Sequence, residues 1–271
     1  QDVKNQPTAG KQLLSGEQKR QYDDQGFIVV PRLVSSTFLT QASRMDVSLT
    51  QRQRLSGDAQ QKASDAMHAV LAHYRKLPEV LDWVEQFCGP RLLSLAAMFV
   101  SVPPDPAGTS KLLGLHQNSN FLPFAFSDED RVVSVWTSLD CPGDKALVVV
   151  PGSHKGPTLV HSIDDGVVSD TSELTEPVAV DAQPGDAVFL HPRLVHGTAP
   201  NRSERYRKEL ISHFAPVDVH ANVGAGSAPI VNTAATETYK VKEYFEHNPY
   251  SFYDFNVEMG KMRLPQPSSQ K

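Results

Sequence analysis

The sequence is poor in cysteine. Its 271 residues hold two, Cys88 and Cys141. That excludes a disulfide-built fold and a multi-cysteine zinc module. One bridge between them stays open, and a reducing compartment is the simpler reading. Long apolar runs are also missing. No stretch of 18 apolar residues occurs, so no membrane span is expected. There is no basic excess: 26 Lys plus Arg stand against 31 Asp plus Glu, a net charge of −5. A dedicated nucleic-acid binder carries the opposite balance. Residues 1–11 are polar and show no apolar signal core. These absences point to a cytoplasmic protein and away from nucleic acid and membrane as partners. A chain of this length buries roughly three quarters of its unfolded surface, so its core needs no cross-link.

The order of elements carries the first positive signal. Residues 1–14 read as a flexible tail, and residues 15–271 as one domain. Ser15 and Gln18 have capping-box spacing, so a helix should start there and stop at Gly26. Phe27-Ile28-Val29-Val30 reads as a buried strand ended by Pro31. Residues 35–55 and 60–77 read as two amphipathic helices. Pro78 opens another, which runs to Gly89-Pro90. From Arg91 the texture changes to short apolar runs separated by Pro and Gly. They cover 92–102, 111–116, 132–139, 146–150, 178–180, 187–191 and 209–214. Short strands of this kind predict a mainly β sandwich or barrel. Helices first and strands after exclude an alternating parallel α/β fold. Residues 221–227 read as loop and 239–247 as a last helix. The aromatic-rich stretch 250–255 should pack on the core or on a partner.

Chemistry can gather around three groups. His116 and Asn118 sit at a strand end, where side chains two apart share a face, and Gln117 points away from them. His196 ends the run that starts at Val188. Arg207 lies eleven residues further on and opens an apolar strand. An Arg aimed inward needs an anion, and a carboxylate is its natural partner. The plainer reading pairs Arg207 with Glu204 or Glu209. Arg205 shares the parity of Arg207 and is the alternative anchor. Trp136 reads as core or as pocket wall. His191, five residues before His196, faces the other way and supports the site or the core. His154, Asp140 and Asp186 read as turn or structural residues. Phe121, Phe124 and Phe126 form either an apolar substrate wall or a loop packed onto the core.

Several motifs follow one another in a fixed order. They are His116-Gln117-Asn118, Val135-Trp136-Thr137-Ser138-Leu139-Asp140, Val149-Val150-Pro151-Gly152-Ser153-His154-Lys155, Gln183-Pro184-Gly185-Asp186-Ala187, His196-Gly197-Thr198 and Arg207. From Gly26 to about Phe214 the chain resembles the phytanoyl-CoA dioxygenase-like family of iron(II)/2-oxoglutarate oxygenases. The resemblance implies a double-stranded β-helix (a cupin-like jelly roll) with N-terminal helices packed on one side. It implies iron, as Fe(II), held by His116, residue 118 and His196. Thr198 and Arg207 would hold the far carboxylate of 2-oxoglutarate. Two imidazoles and one oxygen ligand on a face leave positions for the keto acid and O2. The implied reaction converts 2-oxoglutarate and O2 to succinate and CO2 while oxidising, usually hydroxylating, a C–H bond of a small molecule.

The sequence departs from that pattern at one position. Asn118 stands where the family has Asp, and an amide oxygen is a weaker ligand than a carboxylate. Four readings stay open. The chain is an oxygenase that uses Asn118 or a water there, or a binding protein on the same fold. Otherwise it is a halogenase-type site, or an Asp-to-Asn change introduced to trap a complex. The substrate is not singled out.

Overall fold

The structure is a computed structural model. It describes residues 13–44, 58–107, 114–121, 125–126, 129–140, 145–162, 166–216, 221–222 and 254–258. The chain opens with helix α1 (Gly16–Gln25). The Ser15 hydroxyl accepts from the Gln18 backbone, and the Gln18 side chain accepts from the Ser15 backbone. The helix stops at Gly26, whose φ of 82° suits glycine. A Cβ there would also lie 2.6 Å from the His154 ring, so space as well as conformation requires glycine. Strand β1 (Phe27–Val30) follows, then helices α2 (Ser36–Ser43), α3 (Asp58–Tyr74) and α4 (Pro78–Cys88). Pro78 sits in the first turn of α4, where its missing N–H costs nothing.

The remaining elements are mostly strands. They are β2 (Leu92–Val102), a one-turn helix α5 (Asn118–Phe121), β3 (Ala125–Phe126), β4 (Val133–Ser138), β5 (Leu147–Val149) and β6 (Val178–Ala179). Then come β7 (Ala187–Leu190), β8 (His196–Thr198), β9 (Arg207–Pro216), β10 (Ala221–Asn222) and β11 (Asp254–Glu258). The main sheet has the order β1-β7-β4-β9-β2-β11. Its pairings are antiparallel except β11 on β2, which is parallel. A second sheet runs β6-β5-β8, and β10 pairs with β3.

Alternation along the strands builds two apolar layers. On one face of the main sheet, Val133, Val135, Phe189, Leu210 and Phe214 meet Tyr22, Phe38, Leu71, Trp83 and Val84 of the helices. The helices therefore pack on one side of the sheet. On the other face, Trp136, Val188 and Leu190 meet Leu147, Val149 and Leu194 of the smaller sheet and its loops. Each fully buried side chain of this size contributes about 1.5–3 kcal/mol. Cys88 is buried, and burial pushes its thiol pKa up, so it is an unreactive packing residue.

The structure corrects the expected strand at 111–116. Residues 111–113 lie outside the described residues, and His116 makes only an isolated bridge to His196. The polar run Gln-Asn-Ser-Asn turns instead into α5, so strand parity does not apply to Asn118. The expected loop at 221–227 begins with the two residues of β10. β8 was not anticipated, because three residues with a central Gly show no periodicity. The expected tail and last helix, residues 1–12 and 239–247, lie outside the described residues, as do residues 250–253 and Cys141. Asp254 and Phe255 open β11 on the edge of β2. Among the described residues, no helix is long and apolar enough to cross a membrane.

Candidate functional site

His116 and His196 are held together by their own backbones. Each N–H donates to the other's carbonyl, at 2.8 and 2.9 Å. Their rings lie 4.3 Å apart between centroids. Nδ1 of His116 lies 3.0 Å from the Gly114 carbonyl, and Nδ1 of His196 lies 2.8 Å from the Leu194 carbonyl. A carbonyl only accepts, so each Nδ1 carries the proton and each Nε2 carries the lone pair. This is the tautomer a metal-binding imidazole adopts. Burial pulls both pKa values down, that of His196 to about 4, so both rings are neutral at pH 7. Among the described residues, no group of three His, Cys, Asp or Glu is placed to hold a metal ion. Two neutral imidazoles with Nε2 lone pairs are donors of the kind a divalent metal takes, and Asn118, two residues from His116, brings an amide rather than a carboxylate.

Asn118 is buried and held from behind. Its Nδ2 donates to Ser134 Oγ at 2.9 Å. Ser134 Oγ lies 2.7 Å from His213 Nδ1. Ser134 and His213 are cross-strand partners on β4 and β9. Burial also lowers the His213 pKa to about 4, with His196 close enough to add to the effect. Sequence reading missed Ser134 and His213. The signal was there: His213 lies six residues after Arg207, on the same strand face.

A second cluster lies on that face. Arg207 is fully buried, and its Nε donates to Glu209 Oε1 at 2.7 Å. An Nη atom of Arg207 donates to the Ala199 carbonyl at 2.8 Å. The other oxygen of Glu209 accepts from the Trp136 indole at 2.9 Å. Trp136 has its ring in the second apolar layer and its N–H on the ion pair. Of the two expected partners of Arg207, Glu209 is the one present. Thr198 is two residues from His196 on β8, hence on the same face. The expected alternative anchor, Arg205, is corrected: it lies exposed in a turn before β9 begins, where strand parity has no meaning.

The Gln117 side chain bonds to two loops rather than to the histidine pair. Its amide donates to the Arg193 carbonyl at 2.6 Å and accepts from the Leu159 backbone at 2.7 Å. It ties the 116–118 segment to two loops. His191 lies apart from His196. Its Nε2 is 3.1 Å from Asp130 Oδ1, and its Nδ1 accepts from the Arg193 backbone. The His154 ring lies tilted against it, 5.0 Å between centroids, and its Nε2 bonds the Asp23 carbonyl. Asp140 accepts from the Lys208 backbone, and Asp186 from those of Arg32 and Gln183. His154, Asp140 and Asp186 thus hold turns. The side chain of Phe121 and the expected wall at Phe124 and Phe126 lie outside what is described.

With this geometry in hand, comparison with known proteins decides the family. The family model for phytanoyl-CoA dioxygenase (PhyH) matches residues 22–209. The chain belongs to the phytanoyl-CoA dioxygenase family. Its members are iron(II)- and 2-oxoglutarate-dependent dioxygenases that consume O2. The peroxisomal phytanoyl-CoA dioxygenase of Bos taurus is 30% identical over 246 residues, 79% of this chain and 72% of that one. A probable phytanoyl-CoA dioxygenase of Caenorhabditis elegans is 29% identical, covering 76% and 77%. Among solved structures, the carbocyclase SnoK from nogalamycin biosynthesis has a TM-score of 0.59 at 23% identity, covering 83% and 95%. The epimerase SnoN, solved with Fe3+, alpha ketoglutarate and nogalamycin RO, has a TM-score of 0.56 at 19% identity, covering 78% and 91%. Residues 235–269 match a different family model, NADH dehydrogenase [ubiquinone] flavoprotein 3, mitochondrial. The Rattus norvegicus protein of that name is 42% identical over 40 residues, 15% of this chain and 37% of that one.

Proposed function

We propose that this family member hydroxylates a C–H bond of a small molecule, with Asn118 completing the metal site beside His116 and His196. The observation that carries this reading is the histidine pair itself: the rings lie 4.3 Å apart, and both Nδ1 atoms are committed to carbonyls, which puts the lone pair of each neutral ring on Nε2. When bound, iron with 2-oxoglutarate and O2 supplies the oxidising power, with succinate and CO2 as co-products. The chain's residues do the positioning. Gln117 pins the ligand segment to its loops. Thr198 and Arg207 receive the far carboxylate of 2-oxoglutarate, while Glu209 and Trp136 fix the guanidinium. The two sheets packed face to face support the jelly-roll reading, and β11 on β2 supports treating residues 15–271 as one folded unit.

A halogenase-type site needs room at position 118. Here that position holds an amide bonded to Ser134, which favours the oxygenase reading. A phytanoyl-CoA-like branched acyl thioester is the first substrate to try, after the named relatives. Membrane and nucleic acid are not proposed as partners. We keep the cytoplasmic reading. Fractionation against peroxisomal and mitochondrial markers tests it, since the relatives bear both names.

The deciding experiment measures succinate formed from 2-oxoglutarate with iron(II), for this chain and for Asn118→Asp. Turnover by the chain as it stands, independent of chloride or bromide, is the expected result. Turnover by Asn118→Asp alone means the chain is a disabled or ligand-binding form. Halide-dependent turnover restores the halogenase reading.

A further inference from the structure

We infer that Ser134 and His213 are positioning residues that decide which end of the Asn118 amide faces the metal position. The inference rests on the proposed role of Asn118. An amide has two unlike ends: Oδ1 can ligate a cation, and the Nδ2 amine cannot. A carboxylate at this position would present oxygen either way round. An amide therefore needs a device to orient it, and a carboxylate does not.

The chain Asn118–Ser134–His213 is such a device. Ser134 Oγ has one hydrogen to give and meets two partners, Asn118 at 2.9 Å and His213 Nδ1 at 2.7 Å. If Ser134 gives its hydrogen to His213 Nδ1, its lone pair receives the Asn118 Nδ2–H, and Oδ1 is left for the metal. If His213 instead carries its proton on Nδ1 and donates to Ser134, the serine hydrogen turns to Asn118. That buried hydrogen is satisfied on Asn118 only when the amide presents Oδ1 to Ser134 and its amine faces the site; otherwise Ser134 accepts from both partners and its own hydrogen goes unused. The His213 tautomer and the Asn118 orientation are thus coupled through one serine hydrogen. All three side chains are buried, so solvent cannot reset it cheaply. The register of β4 against β9 places Ser134 opposite His213 and fixes the contact.

The test is a double-mutant cycle read by metal affinity. Free Mn(II) is followed by its EPR signal in titrations of the full chain, Ser134→Ala, Asn118→Asp and the double variant. Outer partners of a metal ligand typically contribute about 10–100-fold to affinity. Ser134→Ala should weaken Mn(II) binding about 10-fold or more with Asn118 present, and by a clearly smaller factor in the Asn118→Asp background, where either oxygen can ligate. His213→Phe, made in the same two backgrounds, should repeat the pattern and covers the case in which one variant fails to fold. The anaerobic charge-transfer band of iron(II) with 2-oxoglutarate gives a second readout of the same split. Equal losses in both backgrounds mean that Ser134 and His213 only support the fold, and overturn the inference. Failure of both Asn118→Asp and the full chain to bind Mn(II) overturns the metal-site reading beneath it.

Discussion

Strands β4 and β9 carry two different molecules' worth of work on their two faces. Toward the helices they present Val133, Val135, Leu210 and Phe214, all buried and apolar. Toward the second sheet they present Ser134, Trp136, Arg207, Glu209 and His213, each of them in a polar contact. Neighbouring residues on one strand thus serve the core and the site in turn. One face is packed against the helices throughout, while on the other Trp136 combines a place in the second apolar layer with a polar contact to Glu209. Substitutions at alternate positions should therefore separate stability from ligand binding.

The sharpest break is expected at Arg207. Arg207→Ala leaves Glu209 as an unpaired buried carboxylate beside Trp136, and breaking a buried pair costs about 3–5 kcal/mol. It also removes the proposed anchor for 2-oxoglutarate. Urea unfolding should show the loss of stability, and titration with 2-oxoglutarate should lose the iron(II) charge-transfer band. A stable variant that still gives the band at the same 2-oxoglutarate concentration would place the anchor elsewhere.

Further along the same strand, the other face should answer differently. Phe214→Ala opens a cavity against Leu92 and the helices, and truncating a buried Phe costs about 3–5 kcal/mol. The fraction that remains folded should bind Mn(II) as the full chain does, because His213 and Ser134 keep their contact. Unfolding and metal titration measured on one preparation make the comparison. A parallel fall in affinity means the two faces are coupled.

Local signals were legible in the sequence, and long-range ones were not. The Ser15 capping box, the stop at Gly26, Pro78 at the start of α4 and the span of β2 follow from neighbours within a few residues, and the structure has all of them. His116 was expected on a strand but lies in an isolated bridge, because its partner is 80 residues away on β8, a strand too short to show a period. Ser134, Glu209 and His213 depend on the register of β4 against β9, which no local window contains. Parity along β9 alone would have put His213 beside Arg207. Only the pairing shows that Ser134 links it to Asn118.

The smallest expected effect concerns a histidine outside both faces. His191 sits where α1 meets the loops, with Tyr22 and His154 around it and Asp130 on its Nε2. Burial holds its pKa down to about 4, against an ordinary value near 6.5, with the Asp130 contact opposing the shift. The unfolded chain thus binds a proton at His191 that the folded chain refuses between about pH 4 and pH 6.5. Stability from this group is complete above about pH 6.5 and is lost as the pH falls toward 4. One such proton amounts to a slope of at most about 1.4 kcal/mol per pH unit. His191→Gln keeps an N–H for Asp130 and an acceptor for Arg193 but cannot titrate. Urea unfolding at several pH values from about 4.5 to about 7.5 should show a shallower slope in the variant, with the two proteins alike in slope above about pH 7. The buried histidines of the sheet interior, His116, His196 and His213, are pulled the same way and will keep part of the slope in the variant. An unchanged slope would assign the acid sensitivity to other buried histidines, with His116, His196 and His213 of the interior and His154 beside His191 the next to be replaced.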